Sequence, residues 1–158
     1  MSYRNAMNIV RMINNNNRSI SNYNIFKNLS YTNSEYKVSE NDTLVHALMR
    51  FSLFNTTTLA VVDSNDNIVG SFSQKIYMKN ISWLEGKSDS IYIGDIIQSR
   101  YHDSIANYNT DLLTCYDKII RYNLNEMLIL DNDDLKKFDI VSTNDIIHNI
   151  LNSIKIDP

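Results

Sequence analysis

Hydrophobic and polar positions along this chain fall into blocks that occur twice. Over Thr43–Phe54 the apolar residues Leu44, Ala47, Leu48 and Phe51 are spaced by three, one and three. Over Asp111–Tyr122 the residues Leu112, Cys115, Ile119 and Tyr122 are spaced by three, four and three. Each set makes one stripe at the 3.6-residue period, which predicts two amphipathic helices. The clusters Asn41-Asp42-Thr43 and Asn109-Thr110-Asp111 supply N-caps for them. Short apolar runs follow, Leu59–Val62 and Met127–Leu130, each ended by an Asp/Asn-rich turn. Such runs predict strands buried on both faces. The turns lead into Ile68–Phe72 and Lys137–Val141, so each half carries a hairpin. A further helix follows, clearest over Thr143–Ile154, where Ile146, Ile147, Ile150, Leu151 and Ile154 form a wide apolar face. A short extended piece precedes each first helix, at Tyr36–Val38 and Ser104–Asn107.

The two blocks align with a shift of 68. Ile25 meets Ile93, Leu29 meets Ile97, Leu44 meets Leu112, Ala47 meets Cys115 and Asp63 meets Asp131. One extra residue in the second acidic turn moves the shift to 69, and Ser73 then meets Ser142. Identity is low, but apolar, small and turn positions correspond throughout. An internal repeat of this kind decides the fold before any single residue does. The expectation is an α/β (α+β) protein of two related units: residues 1–19 an N-terminal helix and Asn-rich link, 20–86 the first unit, and 87–158 the second.

The strings DTLVHALMRF…LAVVDSNDNIVGSFS and MLILDNDDLKKFDIVSTNDII carry a helix, an apolar strand with Asp, an acidic turn, and a strand closing in a hydroxyl. They resemble the CBS-domain pattern from about Ile20 to Leu151. The stretch FDIVSTND is similar to AMP-activated kinase gamma subunits, with Asp in the usual Gly place. The resemblance implies a Bateman module of two βαββα units packed sheet against sheet about a pseudo-twofold axis. It also implies a regulatory role without chemistry of its own, adenine nucleotides (AMP, ADP or ATP) or related adenosyl ligands in the inter-unit cleft, and pairing into homodimers or with a regulated protein.

Within that resemblance Ser142-Thr143-Asn144-Asp145 matches the family's ribose-phosphate motif. Ionised Asp145 is acceptor-only and forks onto a cis-diol, while the Ser142 hydroxyl and the first-turn amides suit a phosphate. The same spacing is close to a capping box, which is useful with no ligand present. The first unit departs from the motif. Ser73-Gln74-Lys75-Ile76 keeps the hydroxyl but has Ile76 where Asp belongs, so Ser73 and Lys75 form at most a degenerate second site.

Other constellations point away from chemistry. Asp63-x-Asn65-x-Asn67 and Asp131-x-Asp133 begin like calcium loops but lack the Gly and Glu such loops require, and read as hairpin turns. His46, His102 and His148 are scattered without metal-ligand spacing. Cys115 is the single cysteine and sits on the apolar stripe of its helix, which reads as core. No Gly-rich phosphate loop, Ser–His–Asp spacing or catalytic carboxylate pair is present.

Composition adds exclusions. A formal net charge of −3 gives no electrostatic footprint for nucleic acid or an anionic membrane. No apolar run approaches the ~18–20 residues that span a bilayer, and MSYRNAMNIVRM lacks a signal-peptide core, so a soluble cytoplasmic protein is expected. Gly numbers 3 and Pro158 is the only proline, whereas Asn is abundant and includes the run Asn14–Asn17. Asn tolerates left-handed backbone, so it is expected to stand in turns where Gly would otherwise serve. Ala6, Ile9, Met12 and Ile13 have helical spacing, either in a short helix docked on the module or in a partner-binding peptide. Trp83 falls in an expected linker, Asn80–Ser90, and either covers a core edge or marks an interface.

Overall fold

The computed structural model describes residues 34–87 and 89–154. Element order reproduces the repeat. The first half holds β1 (Lys37–Ser39), α1 (Leu44–Phe54), β2 (Thr58–Val62), β3 (Ile68–Ser73) and α2 (Gln74–Leu84). A two-residue strand, β4 (Gln98–Ser99), then leads to β5 (Ala106–Asn107), α3 (Leu112–Tyr122), β6 (Glu126–Leu130), β7 (Phe138–Ser142) and α4 (Thr143–Ile154). The expected N-terminal helix, the Asn run, and Ile25 and Leu29 lie outside the described residues. Among those described, no helix is long and apolar enough to cross a membrane.

Correspondence between the halves extends to individual hydrogen bonds. β1 runs parallel to β2 with Val38 opposite Val61, and β5 parallel to β6 with Ala106 opposite Ile129. The antiparallel pairs β2/β3 and β6/β7 open with Thr58 opposite Ser73 and Glu126 opposite Ser142. α1 and α3 end on Asn55 and Asn123, both left-handed at φ 50° and 48°. Asn thus fills the helix C-cap role that Gly usually takes. The turn aspartates also match: Asp63 Oδ1 accepts from Asn65 N and Asp131 Oδ1 from Asp133 N, each at 2.8 Å. These carboxylates are spent on their own turns, as the hairpin reading requires.

Strand burial explains the continuous apolar runs. β2 is buried along its whole length, and β6 from its second residue onward. One face of each sheet packs on its own helices. In the first half Leu44, Ala47 and Phe51 of α1 meet Leu59, Val61 and Phe72. In the second, Leu112, Cys115 and Ile119 meet Met127, Ile129 and Val141, with Ile146 and Ile150 of α4. Burial pushes the Cys115 thiol up to about 12, as befits a core residue. The other faces pack against each other through Ala60, Val62 and Ile68 on one side and Leu128, Leu130, Phe138 and Ile140 on the other. The layers are therefore helix, sheet, sheet, helix.

Two features differ from the sequence expectation. The first sheet has four strands, ordered β1-β2-β3-β4, while the second has three, β5-β6-β7. β4 pairs antiparallel on the outer edge of β3, with Gly70 opposite Ser99 and Ser71 opposite Gln98. Gly70 makes this approach sterically open, because a Cβ there would lie 2.1 Å from the Gln98 carbonyl oxygen. The sheet therefore crosses the sequence boundary at 86/87. Secondly, α2 runs on to Leu84, so Trp83 stands in its last turn rather than in a linker. Leu84 is buried in the first core and holds that turn down, while Trp83 is exposed with its Nε1 donating to Asn80 Oδ1 at 3.0 Å.

The Asp in the Gly place is Asp139, the repeat partner of Gly70. It is buried, and the Tyr108 hydroxyl donates to its Oδ2. Burial raises its pKa, while the Tyr108 hydrogen bond and Lys137 pull the other way. A folded-state pKa above the unfolded one means the native state holds the proton more tightly. This contribution to stability is present below the ordinary carboxylate range and is lost as pH rises through the folded value. Asp139→Asn keeps an acceptor for Tyr108 without the charge. It should melt higher than wild type near pH 7, with the gap closing as pH falls below 4, as read by thermal denaturation across pH.

Candidate functional site

The two helix starts singled out by the sequence occupy equivalent places. Ser73 Oγ accepts from Ile76 N at 3.2 Å, and Ser142 Oγ accepts from Asp145 N at 3.0 Å. Behind each cap the first helical amide is held by the opposite end of the hairpin's entry loop: Gln74 N donates to Thr57 O at 3.0 Å and Thr143 N to Asn125 O at 2.9 Å. One turn later Asn80 Nδ2 donates to Ile76 O and Asn149 Nδ2 to Asp145 O, at 2.7 and 3.1 Å. Both serines therefore act as N-caps, and each still has a hydroxyl proton to offer.

The remaining motif residues diverge. Thr143 is buried, and its Oγ1 lies 3.0 Å from Leu124 O and 3.2 Å from Asn125 O, so its hydroxyl is committed to the fold. Asp145 is half-buried at the third position of α4. Ile76, in the equivalent position of α2, packs on the first hydrophobic core, which explains why the first unit has no carboxylate there.

One opening lies on the α2 side. A cleft of about 560 Å³ is walled by Thr57, Thr58, Ser73, Gln74, Lys75, Met78 and Lys79 of the first half and by Tyr122–Glu126 of the second. Its size falls in the range of small-molecule sites. A second compartment of about 440 Å³ shares Ser73, Lys75, Lys79, Tyr122 and Leu124 and reaches Gln98 and His102. Ser142 and Asp145 line neither.

Two charges define the first cleft. Lys75 and Lys79 stand one helical turn apart on the same face of α2, and neither forms an ion pair with a described residue. Burial, and then the neighbouring Lys79, lower the Lys75 pKa. The carboxylate of Glu126 is already engaged across the halves. Its Oε1 accepts from Thr57 N at 2.5 Å, from Thr57 Oγ1, and from Thr56 Oγ1 at 3.2 Å. The cleft thus combines unneutralised cations, hydroxyl and amide donors, and a partly apolar wall.

Lys79 and Glu126 were not singled out by sequence reasoning. The Lys75-x-x-x-Lys79 spacing was visible, but its meaning depends on both lysines facing a cleft. Glu126 was visible as a charge opening an otherwise apolar strand, where the first half has Thr58.

Two sheets packed face to face, each with βαββα connectivity and related by a one-residue-corrected repeat, can be compared with solved structures. No family model matches the sequence, and no curated protein matches it. Solved structures do. The CBS-pair protein CBSX2 from Arabidopsis thaliana superposes with a TM-score of 0.64 and 15% identity over 88% of this chain and 98% of that one. CBSX2 in complex with AMP gives a TM-score of 0.62 and 15% identity over 87% and 99%. An uncharacterised conserved protein from Pyrococcus horikoshii gives 0.62 and 20% over 84% and 91%. The fold is that of a tandem CBS-domain protein. The four-strand and three-strand sheets are thus the two units of a CBS pair, and the cleft walled by α2 and the α3–β6 connection lies between them.

Proposed function

We propose that this CBS pair is a regulatory module, acting in the cytoplasm, that takes an adenine nucleotide or adenosyl ligand in the inter-unit cleft and passes its occupancy to a partner protein. The observation that carries this reading is the cleft of about 560 Å³ with Lys75 and Lys79 on its wall, neither in an ion pair with a described residue. Lys75 is partly buried without an ion-pair partner, and a phosphate-bearing ligand would supply one. The likeness to a CBS-pair structure bound to AMP supports the same ligand class. Asp145 and Ser142 are proposed as ribose and phosphate contacts at the start of α4, the counterpart in the second unit of the α2 start, with Thr143 positioning the helix start.

Thermal shift and calorimetric titration with AMP, ADP, ATP and S-adenosylmethionine test the proposal. Ligand at about 100 times its dissociation constant should add ~2.7 kcal/mol of stability. Asp145→Ala should weaken binding about 10- to 150-fold if the carboxylate holds a ribose, the loss expected of a charge-assisted hydrogen-bonded fork. If Asp145 serves only the helix start, the variant lowers the melting temperature slightly and leaves affinity unchanged.

A second reading has its own support. Val45, Met49 and Leu53 form an exposed apolar stripe on α1, and Ile120 is exposed on α3. A ligand-free scaffold that pairs through these helices, with itself or with a larger partner, would show no nucleotide binding at millimolar concentration. It would still run as a dimer in light scattering.

A further inference from the structure

We infer that Glu126 is a positioning residue that holds the start of α2 from the opposite unit, so that the α2 side of the cleft is its movable wall and the start of α4 is fixed. The inference goes beyond the ligand reading and does not rest on it. The two helix starts are tied to the loop before their hairpin in different ways. In the second unit the tie is internal. Thr143, the first residue of α4, gives its amide to Asn125 O at 2.9 Å, and its hydroxyl lies 3.0 Å from Leu124 O and 3.2 Å from Asn125 O. Under the 69-residue shift its counterpart is Gln74, which has no hydroxyl for that role. Gln74 N still donates to Thr57 O at 3.0 Å, but the loop that carries this carbonyl is held from outside its own unit. Thr57 gives both its amide and its hydroxyl to Glu126 Oε1, the amide at 2.5 Å. Buried Thr56 has one hydroxyl proton to divide between Thr58 O at 2.9 Å and Glu126 Oε1 at 3.2 Å.

Glu126 is a firm anchor, because it opens β6, the middle strand of its sheet, opposite Ser142 of β7. A chain of hydrogen bonds therefore runs from the first amide of α2, through Thr57, to the central strand of the other unit. The repeat position of Glu126 in the first unit is Thr58, which carries no carboxylate to return the contact. The tie runs one way only. Thr57, Thr58, Ser73 and Gln74 all line the cleft, so releasing Glu126 frees that wall while the Thr143 bonds keep the other in place.

The test is amide hydrogen exchange of the full chain without ligand, resolved residue by residue with NMR. The proteins compared are wild type, Glu126→Ala, Glu126→Gln and Thr143→Val. Glu126→Ala should speed exchange at Thr57 and Gln74 about 10- to 100-fold, the loss expected of hydrogen bonds to a carboxylate, and leave Thr143 within about twofold of wild type. Glu126→Gln keeps an acceptor without the charge and should return both amides to within about fivefold of wild type. Thr143→Val should give the mirror result, with faster exchange at Thr143 and none at Gln74. A rise by the same factor at Gln74 and Thr143 in Glu126→Ala, or at Asn65 and Asp133 in the hairpin turns, would mean a general loosening and overturns the inference. Unchanged protection at Gln74 overturns it as well. Should Glu126→Ala fail to fold, Glu126→Gln carries the comparison. A rise confined to Thr57 and Gln74 then supports the inference, and a uniform rise or none overturns it.

Discussion

Phe138→Ala should lower the stability of the module by about 3–5 kcal/mol, the usual cost of emptying a fully buried aromatic position. Phe138 is only 1% exposed and sits where the two sheets meet, among Ala60, Val62, Ile68, Leu128, Leu130 and Ile140. Its neighbours are held in strands on both sides, so the cavity has little freedom to collapse. A domain of this kind has a total stability of roughly 5–15 kcal/mol, and the loss would take much of it. At roughly 2–4 °C per kcal/mol for a chain of this size, the melting temperature should fall by about 10–15 °C. Denaturant unfolding should move the midpoint with the slope unchanged, and a drop below 1 kcal/mol would mean that the sheets do not pack here. Leu151→Ala, at an exposed position on α4, is the control and should cost much less.

Gly70→Ala should be nearly as damaging, by a different route. The added methyl would lie 2.1 Å from the Gln98 carbonyl and 3.0 Å from Ile97 Cδ1. Backbone on the far side does not yield as a side chain can, so β4 must leave the edge of β3. Overpacking together with the lost ladder bonds should cost about 3 kcal/mol. The effect should also reach the cleft, because Ile97, Gln98 and Ser99 form one wall of its second compartment. Gly70→Ala should therefore raise amide exchange across residues 97–100 and weaken whatever the cleft binds. Gly86→Ala supplies the contrast: its φ is 75° with open space around the Cβ position, so only the ~1–2 kcal/mol of left-handed strain is expected. Equal effects from the two alanines would rule out the steric account.

The repeat made most of the fold legible. Helical stripes and apolar runs report which face is buried, and Leu44, Ala47, Cys115 and Ile129 are buried as their spacing predicts. β4 was missed because two residues, Gln98 and Ser99, carry no period, and their pairing is set by Gly70 far away in the sequence. α2 was shortened because its apolar residues Ile76, Tyr77 and Leu84 are interrupted by Lys79, Asn80 and Ser82, leaving a weak stripe anchored by one buried residue. Site legibility followed the same division. Ser73 and Ser142 were readable as caps because a cap is a local device. Lys79 and Glu126 were not, because each takes its meaning from the opposite half.

The edge strand donated from beyond residue 86 also fixes how the chain can come apart. A cut in the exposed stretch around Gly86 would sever the covalent link between the halves. It would leave β4 clasped on β3, Glu126 bonded to Thr56 and Thr57, and the inter-sheet core closed. The two pieces should behave as complementing fragments, each insoluble or unfolded alone and native when mixed. Backbone continuity is then dispensable at this point, and it is the interlocked sheet that makes the halves one cooperative body.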